Sequence, residues 1–141
     1  MSDSQLFDEV FQITSINNDK YDRVSRVYGT STDSTITMSL DINHELFPVQ
    51  LGDNVSLVLA STLNLDGSKD EGKGWREPKE ATLADMYEYV CHGKVYRFDE
   101  GDNGETVKMY ASFGGLLLYM EAPYKKVTSC RVEYLYMLCK K

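Results

Sequence analysis

Apolar residues recur at every second position in several stretches of the chain, the period of a β-strand with one face turned to a core. Ile36, Met38, Leu40 and Ile42 alternate with Thr37, Ser39 and Asp41, so one face is apolar and the other polar. Val55, Leu57 and Leu59 alternate with Ser56, Val58 and Ala60. Both of those faces are fairly apolar, which predicts a strand covered on each side. Phe7, Phe11 and Ile13 predict an earlier strand, and Tyr21 to Tyr28 another. Gly29 then opens a Thr/Ser/Asp-rich turn.

Further along, Tyr87, Tyr89 and Cys91 alternate, and Val95 and Phe98 continue beyond Gly93. The cluster Gly101-Asp102-Asn103-Gly104 predicts a hairpin whose second arm carries Val107, Met109, Ala111 and Phe113. Gly114-Gly115 interrupts that arm. Apolar positions are odd-numbered before the pair and even-numbered after it, at Leu116, Leu118 and Met120. A phase change at glycine predicts a bulge or sharp bend. The last strand is Val132 to Cys139, with Tyr134, Tyr136 and Leu138 on one face.

Helical signals are sparse. Asp41 to Phe47 fits one short turn before Pro48, capped by Asn43. Ala81 to Tyr89 has a helix-compatible start, but its tyrosines favour a strand. Many short strands separated by turn signals predict an all-β domain, a barrel or a sandwich, spanning residues 1–141 as one unit. The segment from Asn64 to Thr82 stands apart, being polar, charged and glycine-rich. A stretch of that length without apolar periodicity predicts a flexible loop, residues 64–82. Trp75 and Arg76 within it are residue types enriched at binding hot spots, so they are candidate partner contacts.

Composition narrows the function. With 141 residues, 42% of them hydrophobic, the chain is long enough to bury a core without disulfides or metal. Its formal net charge of −7 opposes the phosphate neutralisation on which generic nucleic-acid binding depends. No segment is long and apolar enough to span a bilayer as a helix, and the acidic start does not resemble a signal peptide. Cys91, Cys130 and Cys139 are odd in number and widely spaced, which suits inert thiols in a reducing compartment.

Catalytic and metal motifs are missing. His44 and His92 lie far apart in sequence, and no nucleophile elbow or catalytic cysteine signature frames a partner for either. The cysteines lack the close pairing of a zinc site. Asp66, Ser68, Asp70, Gly72, Gly74 and Glu77 match the donor offsets of a calcium loop. However, Glu71 stands where the sharp turn needs glycine, and no amphipathic helices flank the segment. No phosphate-binding glycine motif is present. The 10 tyrosines can stack bases or join protein interfaces. In strands they more simply bury their rings and wet their hydroxyls, and the acidic balance favours that reading. The class left standing is a structural interaction protein. An OB-like single-stranded nucleic-acid-binding module is the alternative.

Several local strings carry a family resemblance. They are Leu6-Phe7-Asp8-Glu9-Val10-Phe11, Leu40 to Pro48 (LDINHELFP), Ala60 to Leu65 (ASTLNL), Tyr87-Glu88-Tyr89-Val90 and Ser112 to Leu117 (SFGGLL). Their order and spacing resemble the eighth Rpb-type common subunit shared by the eukaryotic nuclear RNA polymerases I, II and III, over nearly the whole chain. The resemblance implies an antiparallel β-barrel of about eight strands, OB-fold-like, and a non-catalytic subunit without a cofactor. It implies a nuclear and nucleolar location and docking on the largest polymerase subunit, from the outside of the enzyme. One departure stands out. Where such proteins often carry Trp-Arg-Pro-Pro, this chain has Trp75-Arg76-Glu77-Pro78. Leu116, Leu117 and Leu118 cannot all point inward from one strand. Phe113, Gly114, Gly115, Leu116 and Leu117 are therefore further candidate interface residues, with the glycines permitting close approach.

Overall fold

A computed structural model describes residues 5–17, 23–62, 83–101, 104–130 and 132–141. The alternating stretches form strands β1 (Gln5–Asn17), β2 (Val24–Ser31), β3 (Thr37–Asn43) and β4 (Asn54–Ala60). They continue as β5 (Tyr89–Glu100), β6 (Thr106–Phe113), β7 (Leu116–Pro123) and β8 (Tyr134–Lys140). All neighbours pair antiparallel in the order β1-β2-β3-β7-β6-β5-β8-β4, and β4 pairs back onto β1. The expected all-β barrel is thus closed, which removes the exposed edges of an open sheet. Among the described residues the helical parts are α1 (Tyr124–Val127) and two single 3₁₀ turns, Leu83–Met86 and Thr128–Cys130.

The interior follows from the period-two faces. Ile36, Met38, Leu40 and Ile42 point inward and are at most 3% exposed. They join Phe11, Leu57, Met109, Leu118, Met120 and Leu135 in one core. Burying each such side chain stabilises by about 1.5–3 kcal/mol, so the barrel is filled rather than hollow. Strand β4 is covered on both faces, as its sequence implies. Val58 and Ala60 turn outward and form a second cluster with Leu138, against which Tyr87, Val90 and Tyr136 pack. Among the described residues no buried side-chain nitrogen or oxygen lacks a hydrogen-bond partner.

The capped turn before Pro48 is present. Asn43 Oδ1 accepts the amides of Glu45 and Leu46 at 3.0 and 3.3 Å. The turn delivers Phe47 to the core, where its ring stacks on Tyr89 at 5.4 Å. The Tyr89 hydroxyl accepts the Asn43 amide at 3.3 Å. Beyond β7, α1 is fastened by Lys126, whose Nζ lies 2.7 Å from Glu9 Oε1 and 2.8 Å from Asp33 Oδ2. Hydrogen bonds from Lys126, Ser31 and Thr35 hold the Asp33 carboxyl well below the usual carboxylate range.

Some boundaries differ from expectation. Gly29 lies inside β2, paired with Ile13 and Met38, and the turn begins after Ser31. Its role is close packing at a bulge in β1, since a Cβ there would sit 3.1 Å from the Gln12 carbonyl oxygen. The final strand starts at Tyr134 rather than Val132. Tyr21, the expected start of the second strand, lies outside the described residues, as does the whole of the expected loop, residues 64–82.

Candidate protein-docking surface

The Gly114-Gly115 pair is a two-residue hairpin turn, not a bulge within one strand. Phe113 pairs with Leu116, and the ladder runs back as far as Thr106 opposite Pro123. Both glycines have positive φ, 66° and 97°. That is the requirement of a type I′ turn, whose twist matches its flanking strands. A Cβ on either glycine would meet nothing within 4 Å. Backbone conformation, not close approach inside the chain, therefore demands glycine here. The phase change follows directly. Residues three apart across the turn face the same side, so odd inward positions become even ones.

The turn gathers the sequence candidates and sorts them. Phe113 is 5% exposed and belongs to the core. Its ring occupies the space a Cβ on Gly93 would need. It is thus not an accessible interface residue. Gly114 and Gly115 are exposed and Leu116 is half-buried. Leu117 points outward and is 39% exposed. Trp75 and Arg76, and the residues of the calcium-like pattern, lie outside the described residues.

A buried carboxylate holds the turn against its neighbour. Direct pairing of β3 with β7 ends at Leu40 opposite Leu118. One residue further, the Leu117 amide donates to Asp41 Oδ2 at 3.1 Å. The same carboxylate accepts from Arg26 Nε at 2.7 Å and from Arg26 Nη2 at 3.1 Å. Its side chain is only 10% exposed, although alternation puts Asp41 on the polar outer face. The hydrogen bond to Asp41 raises the Arg26 pKa against the opposing effect of burial. Two-point Arg–carboxylate pairing is directional as well as strong. The carboxylate therefore takes over where the ladder stops and fixes where Leu117 stands.

The wall beside Leu117 is aromatic. Tyr110 and Tyr119 are cross-strand partners with ring centroids 5.1 Å apart. Tyr96 lies 6.1 Å from Tyr110, and the Arg97 guanidinium lies 5.6 Å from the Tyr110 centroid. Tyrosines in strands are expected to bury their rings and wet their hydroxyls. That description fits Tyr89, at 7% exposure, but not Tyr96, at 51%. Only the strand register reveals the grouping.

Elsewhere, His44 and two of the three cysteines sit in closely packed surroundings. Ser25 Oγ lies 2.8 Å from His44 Nδ1, yet Ser25 is 3% exposed, leaving no access for a substrate carbonyl. Burial pushes the Cys130 thiol up to about 12 and the Cys139 thiol higher. Neither is a ready thiolate nucleophile. Among the described residues no group of three or more His, Cys, Asp or Glu is placed to hold a metal ion.

Known proteins resemble this chain over its length. The family model for RNA polymerase Rpb8 matches residues 8–141. Subunit RPABC3 of the Saccharomyces cerevisiae DNA-directed RNA polymerases I, II and III is 35% identical, over 96% of this chain and 97% of its own. Subunit 8B of the Arabidopsis thaliana RNA polymerases II, IV and V is 38% identical, over 96% and 95%. The Schizosaccharomyces pombe RPABC3 subunit is 35% identical over 100% of both chains.

Proposed function

The chain belongs to the RNA polymerase Rpb8 family, and from that premise we propose that it is a common subunit of RNA polymerases I, II and III. It acts as a structural component without an active site of its own and docks on the largest subunit from outside the enzyme. It resides in the nucleus, including the nucleolus. The observation that carries this reading is the extent of the likeness, which takes in every strand of the barrel and nearly all of each relative. The architecture suits the role. Closure pairs each described strand with a neighbour on both sides over part of its length, so side chains on a wall or at a turn offer the larger docking area. Its filled core makes that wall rigid before contact, which lowers the ordering cost of association.

The β6–β7 turn and Leu117 supply the first contact. Leu117→Asp places a charge on an outward position and spares the core. The expected outcome, in cells where the variant replaces the natural chain, is reduced co-purification of the largest subunits with unchanged thermal stability. Full recovery of those subunits with the variant would remove this docking site.

A further inference from the structure

We propose that the outer wall built from β5, β6, β7, β3 and β2 is a protein-docking surface centred on Tyr96, Tyr110 and Tyr119, and that its partner is a protein surface with an apolar centre and a basic margin on one side. The inference rests on the reading that this chain is a docked subunit, and names the surface and partner chemistry of that docking. The strand register sets out one continuous row. Arg97 faces Tyr110, Tyr110 faces Tyr119, Tyr119 faces Ser39, and Ser39 faces Tyr28. Tyr28 is 38% exposed and Tyr96 51%. Leu117 is two residues from Tyr119 on the same face of β7, so the row continues into the turn.

These rings are not needed to fill the barrel. The opposite faces of the same strands supply Met109, Ala111, Leu118 and Met120, each 0% exposed. Tyrosine offers large area with few rotatable bonds and a hydroxyl for hydrogen bonding, which suits a contact surface.

Charge selects the partner. Arg97 is paired with Asp99 at 2.7 Å, Arg26 with Asp41 at 2.7 Å, and Lys94, at the border, with Glu133 at 3.7 Å. These three cations are therefore matched within the chain, whereas single-strand grooves are positively charged. The next row toward the β5–β6 hairpin sets Asp99 and Glu121 on either side of Lys108. Glu100 and Glu105 lie just beyond, lining a cavity of about 260 Å³ with Tyr124. The acidic margin of Glu121, Glu100 and Glu105, beside an aromatic centre whose Arg97 is matched by Asp99, is complementary to a protein surface whose own margin carries Lys or Arg.

The test replaces the natural chain in cells with Tyr110→Ser/Tyr119→Ser, Tyr96→Ser, Leu117→Asp or Leu51→Ser, the last at an exposed leucine away from the wall. Thermal melting of each purified chain establishes folding, and Tyr96→Ser stands in if the double variant melts early. The expected result is a drop of roughly tenfold or more in recovered polymerase for the tyrosine variants, as hot-spot loss implies. Recovery with Leu51→Ser should be unchanged, and the association should weaken as salt rises. Normal recovery of the tyrosine variants alongside loss for Leu117→Asp would overturn this proposal and leave the docking reading standing. Normal recovery of all variants would overturn this proposal and the Leu117 docking site, whereas failure of the unaltered chain to recover any polymerase would overturn the docked-subunit reading itself. Salt-sensitive binding of a single-stranded oligonucleotide that the tyrosine variants abolish would replace the protein partner with nucleic acid. A dimer of the isolated chain lost in those variants would replace it with a second copy.

Discussion

Replacing Asp41 with Ala should be among the most damaging changes on the outer face of this barrel. The side chain is 10% exposed and serves two donors, the Arg26 guanidinium and the Leu117 amide. Hydrogen bonds to a charged group contribute about 1.5–3 kcal/mol each. Arg26 is 28% exposed, so water recovers part of its loss. The expected destabilisation is about 3 kcal/mol, or roughly 10 °C in Tm for a domain of this size. Asp41→Asn retains an acceptor oxygen and should cost about half as much. Urea unfolding gives the energies, and hydrogen exchange at the Leu117 amide reports the brace directly. The reversed pair Arg26→Asp/Asp41→Arg separates two roles. It restores opposite charges across β2 and β3 but leaves no acceptor beside β7, so it should recover part of the stability and none of the Leu117 protection. An Asp41→Ala variant within about 0.5 kcal/mol of the parent, the range of ordinary surface substitutions, would refute the reasoning. So would unchanged exchange at Leu117.

Gly115→Val forces a β-branched residue to φ 97° where nothing crowds the added carbon. A loss of about 2 kcal/mol in urea unfolding is expected, with Gly115→Ala losing less; no loss would exclude the type I′ turn. Tyr89→Phe leaves the Asn43 amide without its hydroxyl acceptor and should cost about 1 kcal/mol by the same assay. Burial raises the Tyr89 pKa to about 12. The folded state therefore holds its proton more tightly than the unfolded state, and stability should fall as pH rises from about 10 to 12. The fall should be shallower in Tyr89→Phe, and equal slopes would show that Tyr89 is not the group responsible. Cys130, also raised to about 12 by burial, should add a loss beginning near pH 9 that Cys130→Ala reduces.

The strands were legible because their inner faces are almost purely apolar. Ile36 to Ile42 and the two-sided Val55 to Ala60 announce themselves without any knowledge of their neighbours. Gly114-Gly115 was legible only by half. A bulge and a two-residue hairpin shift the alternation alike, and only the pairing of Phe113 with Leu116 tells them apart. Phe113 itself could have been placed correctly, since it continues the inward phase of Val107, Met109 and Ala111. Gly29 misled because the Thr/Ser/Asp run after it has turn composition, whereas its purpose is a close crossing by β1. Asp41 sits on the polar face as its alternation implies. Its burial depends on Arg26 and Leu117, which come from other strands. The tyrosine row likewise exists only across strands. Tyr28, Tyr110 and Tyr119 carry no common spacing along the chain, so their meeting was invisible until the register was fixed.

Quantitative affinity purification of the tagged chain from its own cells tests the central claim most directly. If this barrel is a common scaffold part, the largest subunits of polymerases I, II and III should all be recovered with it, together accounting for the tagged chain in near-equal amount. Recovery of none of the three, with the tagged chain folded and abundant, would contradict the account.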